Sequence, residues 1–316
     1  MRDVVPMESR PCPLGCPAGD VPLFSGRDRL HNLPGEFRVV RCRHCGLLRT
    51  DPRPVPAAMG QYYPDNYGPY LSTRVSGGTA LRRRGIAAGL KRAIQFNVQR
   101  LPTLPPGRML EIGCASGSFL SRQAQLGWQV AGIEFAPGAA ARARQAGHNV
   151  HCGPVETAPE PGDCFDLVVG WMVLEHLHDP VAVLRRLHAW TRPGGTLVLS
   201  VPHLSPLLLT LFGNACYGLQ VPTHLYHYTP TTLQKMLALG NWHLDRVFHQ
   251  RVLSCLLGSL GHRLSDGGHF PDVTRWLEGF PDRATRLHLA FYPLATLLAA
   301  LGQTGRMTVW ARRGDD

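Results

Sequence analysis

Lysine is nearly missing from this chain. Of its 33 basic residues only Lys91 and Lys235 are lysine, and acidic residues number 22. The resulting charge of +11 would draw anionic partners. So lopsided an Arg-to-Lys ratio, beside abundant Ala, Gly and Pro, looks more like a coding bias than a nucleic-acid footprint. The basic residues are not interleaved with stacking aromatics either, which disfavours nucleic acid as a partner. Long apolar runs are also lacking. Leu204–Phe212 and Leu287–Leu301 each carry a proline and fall short of the ~20 residues that span a bilayer. This predicts no transmembrane segment and leaves peripheral membrane contact open. Met1–Arg10 mixes Arg, Asp, Glu and Pro and has no apolar run, so no secretion signal is expected; the prediction is a cytoplasmic protein with reduced thiols. Nothing repeats at a solenoid period, and 44% hydrophobic content excludes a wholly disordered chain. Oligomeric state is not indicated.

What is present begins with cysteine. Four of the nine form two close pairs, Cys12-Pro-Leu-Gly-Cys16 and Cys42-Arg-His-Cys45. That is near the spacing of a zinc ribbon, in which four thiolates close a tetrahedron around Zn²⁺. Gly15 and Gly46 would help the backbone turn around the metal. With four protein thiolates and no open position, the expected zinc is structural. Cys114, Cys152, Cys164, Cys216 and Cys255 are scattered and read as core or loop residues.

At 316 residues the chain suits about two domains. Residues 1–70 read as a zinc-ribbon-like module ending in the Tyr-rich Gln61–Tyr67, either a lid or packing. Residues 71–105 read as a linker helix, with Ile86, Leu90, Ile94, Val98 and Leu101 on one face and Arg82, Arg83, Arg84, Lys91 and Arg92 largely on the other. Residues 106–316 then alternate. Strands are predicted at Met109–Ile112, Gln129–Glu134, Asn149–Cys152, Phe165–Gly170, Thr196–Val201, Trp242–Phe248 and Met307–Arg312. Helices lie between them, one opened by Asp179-Pro180 and another by Thr229-Pro230. The alternation implies an α/β, doubly wound parallel sheet. A C-terminal helical insertion is expected near residues 250–305, with Leu287–Leu301 read first as a buried helix and otherwise as an apolar substrate wall or membrane-surface patch.

The chemistry centres on Met109-Leu-Glu-Ile-Gly-Cys-Ala-Ser-Gly-Ser118. A strand ends near Glu111 and turns at Gly113 and Gly117 into a helix, at the edge where doubly wound sheets bind ligands. The turn offers G-x-x-x-G where a dinucleotide site wants G-x-G-x-x-G. Glu111 would repel a pyrophosphate and suit an amine-bearing ligand. Glu134, ending the next strand, is placed to accept bonds from two ribose hydroxyls.

Leu110-Glu-Ile-Gly-Cys-Ala-Ser-Gly117, Gly132-Ile-Glu134, Phe165-Asp-Leu-Val-Val169, Val173-Leu-Glu-His-Leu177 and Arg192-Pro-Gly-Gly-Thr-Leu197 resemble, in order, the motifs of class I S-adenosylmethionine-dependent methyltransferases. The ubiquinone-biosynthesis-like, small-molecule branch is the best match, over about residues 85–250. The resemblance implies a seven-stranded Rossmann-like sheet, S-adenosylmethionine in the crevice and in-line methyl transfer. It places Glu111, Gly113, Cys114 and Gly117 on the methionine and ribose side. Glu134 stands at the ribose acid, more often Asp in the family. Val155 and Glu156 fall near adenine, with Pro154 replacing a frequent acid, and Trp171 lines the cofactor.

His176, after the fourth strand, is where the family faces donor and substrate. A neutral imidazole there can take a hydroxyl proton during attack, with an activity limb expected in the ordinary histidine range. The alternative is a histidine that simply holds a hydrogen bond. His224, in Pro222-Thr-His-Leu-Tyr-His-Tyr-Thr229, resembles the branch's Pro-x-His segment and is the candidate to orient the acceptor. Together these readings favour O-methylation of a small metabolite or sugar hydroxyl. The alternatives are an RNA methyltransferase with a zinc ribbon, a nucleotide-sugar C-methyltransferase, and a binding protein that keeps the fold.

Overall fold

The computed structural model describes residues 5–63, 96, 98–282 and 287–314. Most of the expected linker helix (Arg82–Arg84, Ile86, Leu90, Lys91, Arg92 and Ile94) lies outside the described residues, as does the Tyr-rich segment beyond Tyr63. Five short strands come first: β1 (Met7–Glu8), β2 (Asp20–Gly26), β3 (Phe37–Cys42), β4 (Leu48–Thr50) and β5 (Arg53–Pro54), followed by a turn of helix, α1 (Pro56–Met59).

From residue 108 the expected alternation is realised. It runs β6 (Arg108–Ile112), α2 (Ser118–Ala124), β7 (Gln129–Glu134), α3 (Pro137–Gln145), β8 (Asn149–Cys152), β9 (Phe165–Trp171), α4 (Pro180–Ala189) and β10 (Thr191–Pro202). Then come α5 (Pro206–Phe212), β11 (Tyr226–His227), α6 (Pro230–Leu239), β12 (Trp242–His249), α7 (Ser254–Gly267), α8 (Pro271–Glu278), α9 (Leu287–Ala290), α10 (Tyr292–Ala300) and β13 (Arg306–Arg313). The helix starts follow local chemistry. Asp179 accepts from the Ala182 amide at 3.0 Å ahead of Pro180, and Thr229 and Thr232 form a reciprocal cap at α6.

The main sheet has seven strands in the order β12-β13-β10-β9-β6-β7-β8. Along β10, Leu197, Leu199 and Val201 belong to one core while Val198 belongs to the other, the period-two signature of a sheet covered on both faces. The second core packs Met109, Leu167 and Val169 against Phe119 and Leu120 of α2 and Ala140 and Ala143 of α3. The doubly wound sheet expected from the alternation forms, with one strand that departs from the parallel direction. β13 returns from the helical insertion and slots between β10 and β12 antiparallel to both. Alternating strand and helix patterns do not reveal that last reversal.

The buried-helix expectation for Leu287–Leu301 is corrected. Helices form there, but α10 turns the small Ala295 and Ala299 inward and leaves Leu294, Leu297 and the following Leu301 exposed. Among the described residues no helix is long and apolar enough to cross a membrane.

A second sheet, in the order β11-β4-β3-β2, joins the N-terminal strands to the segment that precedes α6. β11 lies antiparallel to β4, with Tyr226 opposite Arg49 and His227 opposite Leu48. Phe37, Val39, Leu47 and Tyr62 share one continuous core with Ile112, Leu199, Tyr226 and Tyr228. Arg53 ties the same seam, donating to the Tyr226 hydroxyl at 2.8 Å and to the His178 carbonyl at 3.1 Å.

Candidate active site and cysteine cluster

The strand order reverses direction around β6, so a crevice opens at the carboxyl ends of β6 and β9. Gly113 sits there with φ +67°, and a Cβ would stand 2.4 Å from Val173 Cγ2. Gly117, φ +80°, opens α2. Between them Ala115 takes φ +47°, a conformation alanine rarely adopts. Glu134 from β7 supports it, one carboxylate oxygen accepting from the Ala115 amide and the other from the Ala136 amide, both at 2.8 Å. Burial raises the Glu134 carboxyl, and these amides oppose the rise.

Glu111 is buried at the end of β6, and its Oε2 has no hydrogen-bond partner among the described residues. Burial raises its pKa to about 8, against the pull of Arg122 and with a further push from Glu134. A buried carboxyl with an unanswered acceptor fits an amine-bearing ligand. The Cys114 thiol is buried and pushed up, hence unreactive. Trp171 ends β9 with its ring edge against Phe119 at 5.2 Å and its Nε1 unpartnered among the described residues. Val155 is buried just beyond β8, and the neighbouring Glu156 is half-buried with its carboxyl raised by burial.

After β9 the chain makes a single tight turn, Leu174–His176. His176 Nδ1 lies 2.9 Å from the Thr223 carbonyl oxygen and 2.8 Å from the Tyr63 hydroxyl. A carbonyl only accepts, so Nδ1 carries the proton and Nε2 presents its lone pair. Burial lowers the His176 pKa to about 4, partly offset by the Thr223 carbonyl. This moves the expected activity limb out of the ordinary histidine range, because a buried imidazolium loses its hydration.

The His224 ring stands 4.8 Å from that of His176 and is turned edge-on. Its Nδ1 is bound to the Gly218 carbonyl at 2.9 Å, which again leaves Nε2 bare. Its pKa falls well below the ordinary value through burial, with His176 next to it adding to the fall. Glu175 is buried, with both oxygens unpartnered among the described residues, and burial lifts it to about 8. Glu175 and the two histidines bring one polar atom each within 4.8 Å of one another.

The structure thus brings the two predicted histidines together. Beside them stand Tyr63, from the Tyr-rich stretch of the N-terminal module, and Glu175, a buried carboxyl whose Oε1 lies 4.0 Å from His176 Nε2. Nothing local pairs Tyr63 with His176, 113 positions apart.

The four paired cysteines converge as well. Their sulfurs all lie within 4.8 Å of one another, and Cys12 Sγ is 3.6 Å from Cys45 Sγ. A Zn–S bond of about 2.3 Å sets tetrahedral sulfur separations of about 3.8 Å, so the cluster has the size of a ZnS₄ site. Gly15 and Gly46 take φ +73° and +79°, and the Leu47 amide points at Cys45 Sγ at 3.5 Å. Burial pushes the Cys12 thiol up and lifts Cys16 to about 11, whereas backbone amides of Cys45 and His44 draw Cys42 down, against its burial, to about 7. Four such thiols can all ionise together only beside a cation.

Known proteins resemble this chain over about half of its length. The family model described as "Methyltransferase domain" matches residues 82–247. A ubiquinone biosynthesis O-methyltransferase from Xanthomonas campestris pv. campestris (strain B100) is 33% identical over 135 residues, 40% of this chain and 56% of that protein. A malonyl-[acyl-carrier protein] O-methyltransferase from Serratia marcescens is 30% identical over 149 residues, 46% of this chain and 58% of that protein. The chain therefore spans a little over half the length of these curated relatives. A solved S-adenosylmethionine dependent methyltransferase from Mesorhizobium loti superposes with a TM-score of 0.47 at 19% identity, over 71% of this chain and 96% of that one.

Proposed function

Because the chain belongs to the methyltransferase-domain family, we propose that it transfers a methyl group from S-adenosylmethionine to a hydroxyl oxygen of a small metabolite or sugar. The observation that carries the oxygen assignment is His176: an uncharged imidazole whose Nδ1–H is engaged by the Thr223 carbonyl, so that Nε2 is free to receive a proton. The relatives named above, both O-methyltransferases, support the same reading.

S-adenosylmethionine supplies an electrophilic methyl group when bound. Glu111, Gly113, Cys114, Gly117 and Glu134 would hold its methionine and ribose portions, Val155 and Glu156 its adenine, and Trp171 would line the cofactor. The residues present fit such a ligand. The Gly113 turn has no room for a side chain beside Val173, and the Glu111 carboxyl lacks a partner that an ammonium would provide. His176 Nε2 takes the hydroxyl proton as the acceptor oxygen attacks, while its Nδ1–H stays on the Thr223 carbonyl. His224, whose ring stands 4.8 Å from that of His176, orients the acceptor. His224 is buried and His176 largely so, and the loss of hydration keeps both rings neutral. Zinc at Cys12, Cys16, Cys42 and Cys45 would be structural, bracing β3 and the β2–β3 hairpin.

Incubation with methyl-labelled S-adenosylmethionine and a panel of phenols, sugars and hydroxy acids tests this reading. Label recovered in a methyl ether, and lost with His176→Ala, is the expected result. Label on carbon, nitrogen or a carboxylate oxygen alone would overturn it.

A further inference from the structure

Tyr63 belongs to the N-terminal module, directly after the single helical turn Gly60–Tyr62. Yet its hydroxyl lies 2.8 Å from Nδ1 of His176, and the two rings meet edge to face at 5.9 Å. We propose that Tyr63 is a positioning residue: with the Thr223 carbonyl it grips the Nδ1–H of His176 and so fixes the direction of Nε2, which stands 4.0 Å from Glu175 Oε1, so that the acceptor site is built jointly by the N-terminal module and the sheet domain. The inference rests on the proton-accepting role of His176 given above.

The hydrogen-bond geometry fixes the direction. If Tyr63 donated to Nδ1, that nitrogen would turn a lone pair towards the Thr223 oxygen 2.9 Å away, and the ring proton would move to Nε2. Two lone pairs at that distance repel. The favourable arrangement has one Nδ1–H shared between two oxygens, the carbonyl and the phenol. It leaves Nε2 bare in the resting state. It also improves when Nε2 gains a proton, since the charge spreads over the ring and both acceptors then bind a cationic N–H. The proton balance is simple: one proton moves from acceptor oxygen to Nε2, and the Nδ1–H remains in place.

The module is anchored well enough for such a task. Thr50 of β4 donates its hydroxyl to the His224 carbonyl at 2.8 Å and its amide to the Leu225 carbonyl at 3.0 Å. Tyr63 and Thr50 therefore reach the two histidines from the same side of the fold, one to a ring and one to a backbone.

The test is ¹⁵N NMR of the zinc-loaded full chain with labelled histidine and S-adenosylhomocysteine, with His176→Gln used to assign the signal. The wild type should show His176 as the Nδ1–H tautomer, with that proton well downfield and slow to exchange. Tyr63→Phe keeps the ring contact and removes only the oxygen. It should move the Nδ1–H signal upfield and speed its exchange with water at least tenfold, without changing S-adenosylhomocysteine affinity. An Nε2–H tautomer in the wild type, or an Nδ1–H signal indifferent to Tyr63→Phe, overturns the proposal. If Tyr63→Phe fails to fold, fluorotyrosine incorporation, which weakens the phenol oxygen as an acceptor, should still move the Nδ1–H signal upfield, and an unmoved signal overturns the proposal. Failure of the base assignment would show separately, as turnover retained by His176→Ala, and would leave these spectra unchanged.

Discussion

The Leu225 amide donates to the Glu175 carbonyl oxygen at 2.8 Å, joining the segment that carries His224 to the turn that carries His176. The Thr223 carbonyl, two residues back, holds the His176 ring. Each histidine is thus located by backbone belonging to the other's neighbourhood, and the 4.8 Å between the rings is set by main chain. Groups held this way need little reorganisation on binding, which is the condition for catalysis by position as well as by proton transfer.

His176→Ala is expected to leave S-adenosylhomocysteine binding unchanged and to lower turnover by roughly 10²–10⁴, the usual cost of losing a general base. The acid limb of kcat/KM should fall near pH 4, where the buried ring would first take a proton. Calorimetry and a pH–rate profile check both. A limb near 6.5 would mean that a more exposed histidine is the base.

The glycine turn makes a sharper demand on the cofactor. Gly113→Ala places a methyl 2.4 Å from Val173 at φ +67°, and Glu134→Ala frees the Ala115 and Ala136 amides together. Each should weaken S-adenosylhomocysteine at least tenfold by calorimetry. Equal or tighter binding of NAD by the wild type would contradict the site as described.

One zinc per chain is expected from metal analysis, lost in a Cys42→Ser/Cys45→Ser double variant. Separate cores for module and sheet, the simplest reading of the sequence, would give two unfolding transitions. The continuous core from Val39 to Leu199 predicts one, and predicts that loss of zinc lowers the midpoint of the whole chain. Calorimetric scans with and without chelator distinguish the two.

Glu175 gives a signed prediction for stability. A carboxyl raised from 4.5 to about 8 stabilises the fold fully below its unfolded value, and that contribution disappears as pH rises through 8. Glu175→Gln should therefore flatten the fall in stability between pH 6.5 and 8.5, by a few kcal/mol at most. In that window His176, His203, His227 and His262 are uncharged in the fold, and their titration in the unfolded chain is common to both proteins and cancels in the comparison. Urea melts at several pH values would show it. An unaltered slope would mean that Glu175 ionises freely in the folded chain.

The transferase sheet was legible in the sequence because its signals are local. Glycine turns, apolar runs and Asp179-Pro180 each act within a few residues, and all seven predicted strands form. The cysteine cluster was legible for a related reason: ligand spacing is a short-range constraint, even where the two pairs are far apart. What escaped was everything that needs a long loop to close. The antiparallel entry of β13, the pairing of Tyr226 with Arg49 and the reach of Tyr63 to His176 all join segments more than a hundred residues apart. Burial was misread at Leu287–Leu301 because hydrophobicity was equated with the interior, whereas α10 packs through its alanines.

The two-residue strand β11 bears on how such a protein could be recombined. Its partner β4 lies in the module and its flanks lie in the histidine loop, so a cut between residues 63 and 106 would not separate two self-sufficient pieces. One fragment would lose the outer strand of its small sheet. The other would keep Tyr226 and His227 with their ladder groups facing water. A graft of this module onto a different transferase would therefore have to bring the segment around residues 218–228 with it. The exchangeable unit is discontinuous in sequence, and it includes the loop that carries His224.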